Sequence, residues 1–150
     1  MRQFGTGIAA ILRAGDLVVL DGPLGAGKTV LAQGIARGLD VTSPVTSPTF
    51  VIARVHRDGR LPFVHVDAYR LHGIAEIDDL DIDATLDEAV TVVEWGGGLV
   101  EHLRADWLDV RIARPVDGET RTVTLRGYGV SWQERAGALA TAANGVDAPG

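Results

Sequence analysis

A glycine-rich segment near the start of the chain contains residues suited to binding phosphate. Residues 22–29 read GPLGAGKT and match the pattern GxxxxGK[ST] in full. Glycines permit the backbone angles that turn successive N–H groups toward one point, where they bind phosphate oxygens. We expect the Lys28 side chain to reach the β- and γ-phosphates of a triphosphate, and the Thr29 hydroxyl to bind Mg²⁺. The segment predicts a phosphate-binding loop with contacts from Gly25, Ala26, Gly27, Lys28, Thr29 and Val30.

Lys28 also stands out in the composition of the chain. It is the only lysine, whereas the sequence has 13 arginines, and this bias suggests that position 28 requires a lysine. A compact ammonium on a flexible stem fits between phosphate oxygens, while a planar guanidinium has a different shape. Composition and motif therefore indicate the same residue.

Hydrolysis of a bound triphosphate needs a carboxylate near the metal or the attacking water. Glu94 follows the apolar run 89–93, and Asp67 follows a second run that ends at Val66. Because the carboxyl ends of parallel strands face the ligand crevice, both acids can converge on the phosphates. The alternative for each is a structural carboxylate that caps a helix or pairs with an arginine. Trp95 is within reach of the same site, although a single aromatic residue belongs more often to the core.

The phosphate-binding loop needs a strand before it and a helix after it, and the sequence predicts both. Apolar runs and alternation predict strands, helical spacing predicts helices, and hydroxyl, glycine and proline residues predict loops. The two strands joined around Asp58 and Gly59 form a hairpin, which makes the predicted sheet mixed. The predicted elements are a helix over 5–13, a strand over 17–20, a helix over 28–39, a loop over 42–48, strands over 50–55, 61–66 and 89–93, an antiparallel strand pair over 108–112 and 120–126, and a helix over 132–140.

Seven acidic residues between positions 76 and 88 alternate with apolar ones. We interpret this segment as two short amphipathic helices with a solvated acidic face rather than as a metal or partner site.

Composition limits the class of protein. The 150 residues suit a single domain, which we place at residues 1–140, with a disordered tail over residues 141–150. Hydrophobic residues make up 46% of the chain, but no apolar run approaches the roughly 20 residues of a membrane span. Met1 to Arg13 does not have the pattern of a signal peptide. We therefore expect a cytoplasmic protein without a membrane partner.

Other site chemistries are disfavoured. The chain has no cysteine, and its four histidines lack the close pairing of zinc motifs. We interpret these histidines as surface or core residues. The net charge of −6 argues against a direct nucleic-acid partner for the protein as a whole.

Four motifs in order resemble those of the TsaE family, also called YjeE. This family supplies the ATPase of bacterial tRNA threonylcarbamoyladenosine synthesis. The resemblance extends from about Gly5 to Ile112, and four ordered motifs are far more specific than the phosphate-binding loop alone. The motifs are GPLGAGKT at 22–29, VTSPTF at 45–50, HVDAYRL at 65–71 and VVEW at 92–95.

The resemblance implies an α/β P-loop NTPase fold with three α/β/α layers around a mainly parallel, mixed central sheet. It implies an ATPase that uses ATP and Mg²⁺, works with the TsaD and TsaB proteins, and meets tRNA only through that complex. The family residues important for activity correspond to Lys28, Thr29, Asp67 and Glu94. The resemblance further implies that Glu94 helps to hold Mg²⁺, that Trp95 lies near the nucleotide, and that Thr49 senses the γ-phosphate. Family members usually carry a nucleotide-contacting threonine four residues before the glycine that matches Gly5, and this sequence has Met1 there.

Two further functions remain as alternatives. The base-reading NKxD motif of Ras-like GTPases is missing, because the only asparagine is Asn144, so ATP is favoured by elimination. A small-molecule kinase shares the same loop but usually has an arginine-bearing lid, for which we find no arginine-rich insert. The third possibility is a nucleotide-gated interaction module, in which binding rather than hydrolysis carries the function. Since no arginine finger is evident in the sequence, we expect hydrolysis to be weak alone and stimulated in the complex.

Overall fold

The computed structural model describes residues 1–23, 25–46, 53–69, 82–98, 101–114 and 120–144. Within these residues it contains four α-helices, six β-strands and two short 3-10 helices. The helices are α1 (Arg2–Ala9), α2 (Lys28–Gly38), α3 (Val130–Glu134) and α4 (Ala136–Asn144), and the 3-10 helices are Ile82–Ala84 and Glu101–Leu103. The strands are β1 (Leu17–Asp21), β2 (Ala53–His56), β3 (Phe63–Asp67), β4 (Val90–Glu94), β5 (Trp107–Ala113) and β6 (Thr122–Tyr128).

The strands form one six-stranded sheet in the order β2-β3-β4-β1-β5-β6. The four central strands are parallel, whereas β2 and β6 pair antiparallel at the two edges. Strands β1 and β4 are buried along almost their whole length, which explains their continuous apolar sequences. Strand β6 alternates between exposed and partly buried residues, as an edge strand does. The predicted α/β class, the hairpin of β2 and β3, and the mainly parallel mixed sheet are confirmed.

Apolar side chains cover both faces of the sheet. One face packs against α1 and α2, with Val18, Leu20 and Val92 contacting helix residues that include Leu31 and Ile35. On the other face, Leu17, Val19, Val64 and Val66 pack against Ile82, Leu86 and Ala89. Burial on both faces fixes the position of β1, whose end leads directly into the phosphate-binding loop.

Helices α1 and α2 approach each other closely at glycines. A Cβ atom at Gly5 would lie 2.5 Å from the carbonyl oxygen of Leu31 and 2.7 Å from the backbone nitrogen of Ile35. A Cβ atom at Gly38 would lie 2.5 Å from the Cβ atom of Ala9. The backbones therefore touch at positions where a larger residue does not fit. This contact fixes α1 against the helix whose first turn borders the phosphate-binding loop.

Element boundaries differ from the prediction at both ends of the chain. Helix α1 begins at Arg2 and ends at Ala9, whereas the apolar spacing predicted a helix over 5–13. The N–H groups of Ile11 and Leu12 still donate three residues back, but the backbone N–H of Arg13 donates to the carboxylate of Asp16. The chain then turns at Gly15, which has a φ of 93°.

The single helix predicted over 132–140 is wrong, because the chain forms two helices separated at Arg135. The Arg135 guanidinium donates to both carboxylate oxygens of Asp16, at 2.7 and 2.8 Å, and to the carbonyl of Ile11. This buried ion pair holds the junction of α3 and α4 against the start of β1. Helix α4 continues to Asn144, four residues into the segment where we expected disorder, and residues 145–150 lie outside the described part.

Two further expectations fall partly on residues that the structure does not describe. Of the acidic segment 76–88, residues 82–88 form a 3-10 helix followed by turns, while the rest lies outside the described residues. Of the loop predicted over 42–48, residues 42–46 contain no helix or strand, and residues 47 and 48 lie outside. No helix in the described ranges is long and apolar enough to cross a membrane.

Candidate nucleotide-binding site

The phosphate-binding loop connects β1 to α2. Gly25 and Gly27 have φ angles of 78° and 108°, in the left-handed region that favours glycine. Gly27 immediately precedes α2, and no side chain caps this helix end. The first N–H groups of a helix have no partner within the helix, and the helix dipole adds partial positive charge there. The first turn, which includes the exposed residue Val30, therefore presents an anion-binding site.

The Lys28 ammonium lies folded against the loop. Its Nζ donates to the carbonyl of Gly22 at 2.6 Å and to that of Pro23 at 3.0 Å. The same nitrogen lies 3.9 Å from the centroid of the Trp95 ring. Lys28 is only 5% exposed, and this burial lowers the pKa of its ammonium, although nearby carboxylates such as Glu94 oppose the shift. The positive charge is thus held next to the uncapped helix end.

The Thr29 hydroxyl contacts the acid at the end of β4. Its Oγ1 donates to Oε1 of Glu94 at 2.9 Å. Because the hydroxyl proton is used in this bond, the lone pairs of Oγ1 remain available to accept a cation. Glu94 is only 3% exposed, and its second oxygen, Oε2, lies 2.6 Å from Nε2 of His65. A hydroxyl and a carboxylate are oxygen ligands of the kind that Mg²⁺ prefers, so this pair fits the metal.

Asp67 lies beside Glu94 at the same edge of the sheet. The two acids are register partners in the parallel pair of β3 and β4, and the N–H of Ala68 donates to the carbonyl of Glu94. Asp67 is partly exposed, and its Oδ1 accepts a hydrogen bond from the N–H of Tyr69 at 2.9 Å. The two carboxylates therefore differ in environment, with Glu94 enclosed and Asp67 closer to solvent.

Trp95 has an unusual backbone conformation for a bulky residue. Its φ is 61°, in the left-handed region, while its N–H continues the sheet pattern by donating to the carbonyl of Leu20. A bulky residue in this region carries backbone strain of about 1–3 kcal/mol, which the surrounding structure must offset. The conformation places the ring over Lys28 and 5.1 Å from the ring of Tyr69. Strain of this kind occurs often at binding sites.

Arg121, at the β6 edge of the sheet, donates hydrogen bonds to carbonyl groups of the loop. Arg121, just before β6, donates from Nε to the carbonyl of Ala26 at 2.8 Å and from Nη2 to that of Gly25 at 3.2 Å. The N–H of Ala26 is itself bonded to the carbonyl of Pro23. With these carbonyls occupied, the loop is held in the conformation that its glycines permit.

Comparison with known proteins identifies the family of this chain. Residues 1–123 match the family of Threonylcarbamoyl adenosine biosynthesis protein TsaE. The chain belongs to the TsaE family. The role of this family is in the biosynthesis of threonylcarbamoyladenosine in tRNA.

Individual relatives of the TsaE family cover most of the chain. The tRNA threonylcarbamoyladenosine biosynthesis protein TsaE of Streptomyces coelicolor is 55% identical over 139 residues, which cover 88% of this chain and 93% of that protein. The protein of the same name from Bacillus subtilis is 40% identical over 122 residues, covering 81% and 75% of the two chains. The crystal structure of Bacillus subtilis YdiB superposes with a TM-score of 0.76 at 31% identity, over 95% of this chain and 88% of that one. The resemblance to the TsaE family and the α/β fold are therefore confirmed.

Most residues that the sequence assigned to the site of this TsaE family member lie together. Lys28, Thr29, Glu94 and Trp95 are joined by direct contacts, and Asp67 lies beside Glu94. Thr49 lies outside the described residues, as does Leu24 within the loop. In the described part of the chain, no group of three or more His, Cys, Asp and Glu residues could hold a metal. Mg²⁺ bound with phosphates needs only one or two protein carboxylates, so the pair of Thr29 and Glu94 is sufficient.

Sequence reasoning missed two residues at this site. His65 was interpreted only as a surface or core histidine, and it is fully buried, but it also contacts Glu94. The spacing of two between His65 and Asp67 was an available signal, because alternate residues of a strand share a face. Arg121 had no local signal, since it lies just before β6, 95 residues further along the chain than Ala26, which it contacts.

Proposed function

We propose that this TsaE family member binds ATP with Mg²⁺ at the phosphate-binding loop and hydrolyses it in support of a complex of TsaD and TsaB. The contact between the Thr29 hydroxyl and the Glu94 carboxylate carries the proposal, because it joins the loop to the acid that ends β4. It lies next to the uncapped first turn of α2, where the phosphates bind. In this proposal tRNA is met only through the complex.

The loop and Lys28 bind the phosphates. The N–H groups of the first turn of α2 donate to phosphate oxygens, with the glycines at 25 and 27 allowing close approach. Lys28 exchanges its present bonds to the carbonyls of Gly22 and Pro23 for the β- and γ-phosphate oxygens. The ammonium therefore has hydrogen-bond acceptors both before and after the nucleotide binds. The ring of Trp95, which covers the ammonium, borders the nucleotide.

Thr29 and Glu94 hold the metal. Bound Mg²⁺ neutralises the charge that develops on the phosphate oxygens during transfer. The Thr29 hydroxyl would hold the metal through its oxygen lone pairs while its O–H continues to donate to Oε1 of Glu94. We assign orientation of the attacking water to Asp67, because its carboxylate lies beside Glu94 at the same edge of the sheet and is partly exposed.

Reconstitution with the partner proteins tests the proposal. The chain is mixed with TsaD, TsaB and tRNA, and threonylcarbamoyl transfer is followed over several turnovers with ATP. We expect multiple turnovers with the wild-type chain and their loss with Lys28→Ala. Val130→Ser, at an exposed residue that starts α3, serves as the control and should behave as wild type. Transfer that is indifferent to the chain, or to Lys28→Ala, would refute the role in the complex.

Glu94→Gln separates hydrolysis from binding. The amide keeps the size of the side chain but removes the charge that attracts the metal. We expect ATP to bind still and phosphate release to fall by at least about tenfold, with multiple turnovers lost as well. If transfer continues at the wild-type rate while phosphate release is abolished, binding alone carries the function, and the chain is a nucleotide-gated module.

A further inference from the structure

His65 on β3 is a buried histidine. It lies outside the phosphate-binding loop, but it contacts Glu94, the metal-binding acid of the proposed site. His65 is 0% exposed, and its Nε2 lies 2.6 Å from Oε2 of Glu94. The other oxygen of the same carboxylate accepts from Thr29. The Glu94 carboxylate is therefore held between two donors, one from α2 and one from the neighbouring strand β3.

The second ring nitrogen of His65 shows which atom carries the proton. Nδ1 is buried and has no hydrogen-bond partner among the described residues. Since a carboxylate only accepts, the ring proton belongs on Nε2 and is donated to Glu94. The direction of this bond follows from the environment of both nitrogens.

Stability alone does not account for a histidine at this position. Its neighbours on the same face include Phe63 and Val92, so an apolar residue would pack there without leaving an unpaired ring nitrogen. The unpaired ring nitrogen of His65 is unfavourable, but the same ring places an N–H against one oxygen of Glu94. A carboxylate with two fixed donors cannot rotate, and its orientation is set before any ligand arrives.

We infer that His65 is a positioning residue that fixes the Glu94 carboxylate in the orientation needed to hold Mg²⁺ with Thr29. The inference rests on the proposed function, since it assigns a support to the metal-binding acid. His65 does not contact the nucleotide. It acts only through Glu94.

Two substitutions at this position separate positioning from packing. His65→Gln keeps a side-chain N–H donor of similar reach, whereas His65→Leu keeps the volume and removes the donor. ATP affinity is measured by titration in EDTA and in Mg²⁺, together with the Mg²⁺ concentration that gives half of the metal-dependent gain. We expect His65→Leu to raise that concentration by about 10- to 100-fold and to leave the affinity in EDTA unchanged. His65→Gln should restore most of the Mg²⁺ response.

His56 provides a matched control. It is a second buried histidine, one strand away, and its ring lies 5.9 Å from that of Phe63, as does the ring of His65. His56→Leu therefore disturbs the same region of the core without touching Glu94, and it should keep the wild-type Mg²⁺ response. Thermal unfolding of every variant shows whether it is folded.

An experiment on the nucleotide-free protein tests the hydrogen bond itself. Imidazole ¹⁵N spectra should show His65 with a protonated Nε2 and an unprotonated Nδ1. Glu94→Gln should shift the Nε2 resonance of His65 and leave that of His56 in place. The spectrum of the wild-type chain locates the ring proton even if His65→Leu does not fold.

Several results would overturn the inference. One is a His65→Leu variant with the full Mg²⁺ response, and another is an equal loss in His65→Leu and His65→Gln. An equal loss in His56→Leu, or a His65 ring protonated only at Nδ1, would also do so. If the wild-type chain binds no ATP, the proposed function itself fails, which is a different result from a chain that binds Mg²⁺ and ATP without needing His65.

Discussion

Replacing Gly5 by alanine tests whether α1 and α2 touch as closely as the structure shows. The added Cβ would lie 2.5, 2.7 and 2.9 Å from backbone atoms of Leu31, Ile35 and Gly34. Ordinary contacts begin at about 3.4 Å, so α1 would have to move away by several tenths of an ångström. Overpacking of this kind costs about 1–3 kcal/mol, while the helix propensity of alanine returns about 0.5–1 kcal/mol. We expect a net loss of about 1 kcal/mol, and of at most about 2.5 kcal/mol.

Gly7→Ala is the matched control on the same helix. A Cβ atom at Gly7 has no neighbour within 4 Å, so only the propensity gain of about 0.5–1 kcal/mol remains. In urea unfolding, the change in the free energy of unfolding should therefore have opposite signs in the two variants. The midpoint should lie below that of the wild type for Gly5→Ala and above it for Gly7→Ala. Each kcal/mol corresponds to about 2–4 °C in Tm for a domain of this size. A Gly5→Ala variant as stable as Gly7→Ala would refute the close packing of the two helices.

Three other substitutions or reactions test separate features. Thr91→Val should stabilise the fold by about 1 kcal/mol in urea unfolding, because the buried Thr91 hydroxyl has no partner among the described residues; a loss would reveal a hidden bond. Burial lowers the pKa of His56 below 6.5, so the stability that its neutral form contributes is present above pH 6.5 and falls as pH drops through the lower folded pKa. His56→Gln should flatten this decline between pH ~7.5 and ~5, and an unchanged slope would exclude His56 as its source. Burial also lowers the pKa of Lys28 below 10.5, and ATP with Mg²⁺ should protect this amine from acetic anhydride; mass spectrometry of the peptide measures the labelling, and equal labelling with and without the nucleotide would exclude the contact.

One boundary that the sequence did not predict correctly has its physical cause far away along the chain. The break between α3 and α4 contains no glycine or proline that would end a helix locally. It occurs at Arg135, whose guanidinium is buried against Asp16, 119 residues earlier in the chain. A pairing over that separation has no periodicity and no local turn chemistry, so propensity alone cannot predict it.

Local chemistry, in contrast, predicted which residues of the candidate site lie together. The spacing of glycines, Lys28 and Thr29 placed the loop, and the apolar runs before Asp67 and Glu94 placed both acids at one edge of the sheet. These features depend on neighbours within a few residues, since parallel strands end at the same edge. Sequence patterns can predict contacts that depend on residues close together in the chain.

The sequence by itself determined the glycine-rich loop between a strand and a helix, the α/β class, the central parallel strands and the resemblance to the TsaE family. Only the tertiary structure decided that Thr29 donates to Glu94, that His65 donates to the other oxygen of the same acid, and that Arg121 holds the loop from behind. A residue's own type and immediate neighbours govern the first group of features. The second depends on the register of β3 against β4 and on the packing of β6 beside the loop, which arise when distant segments come together.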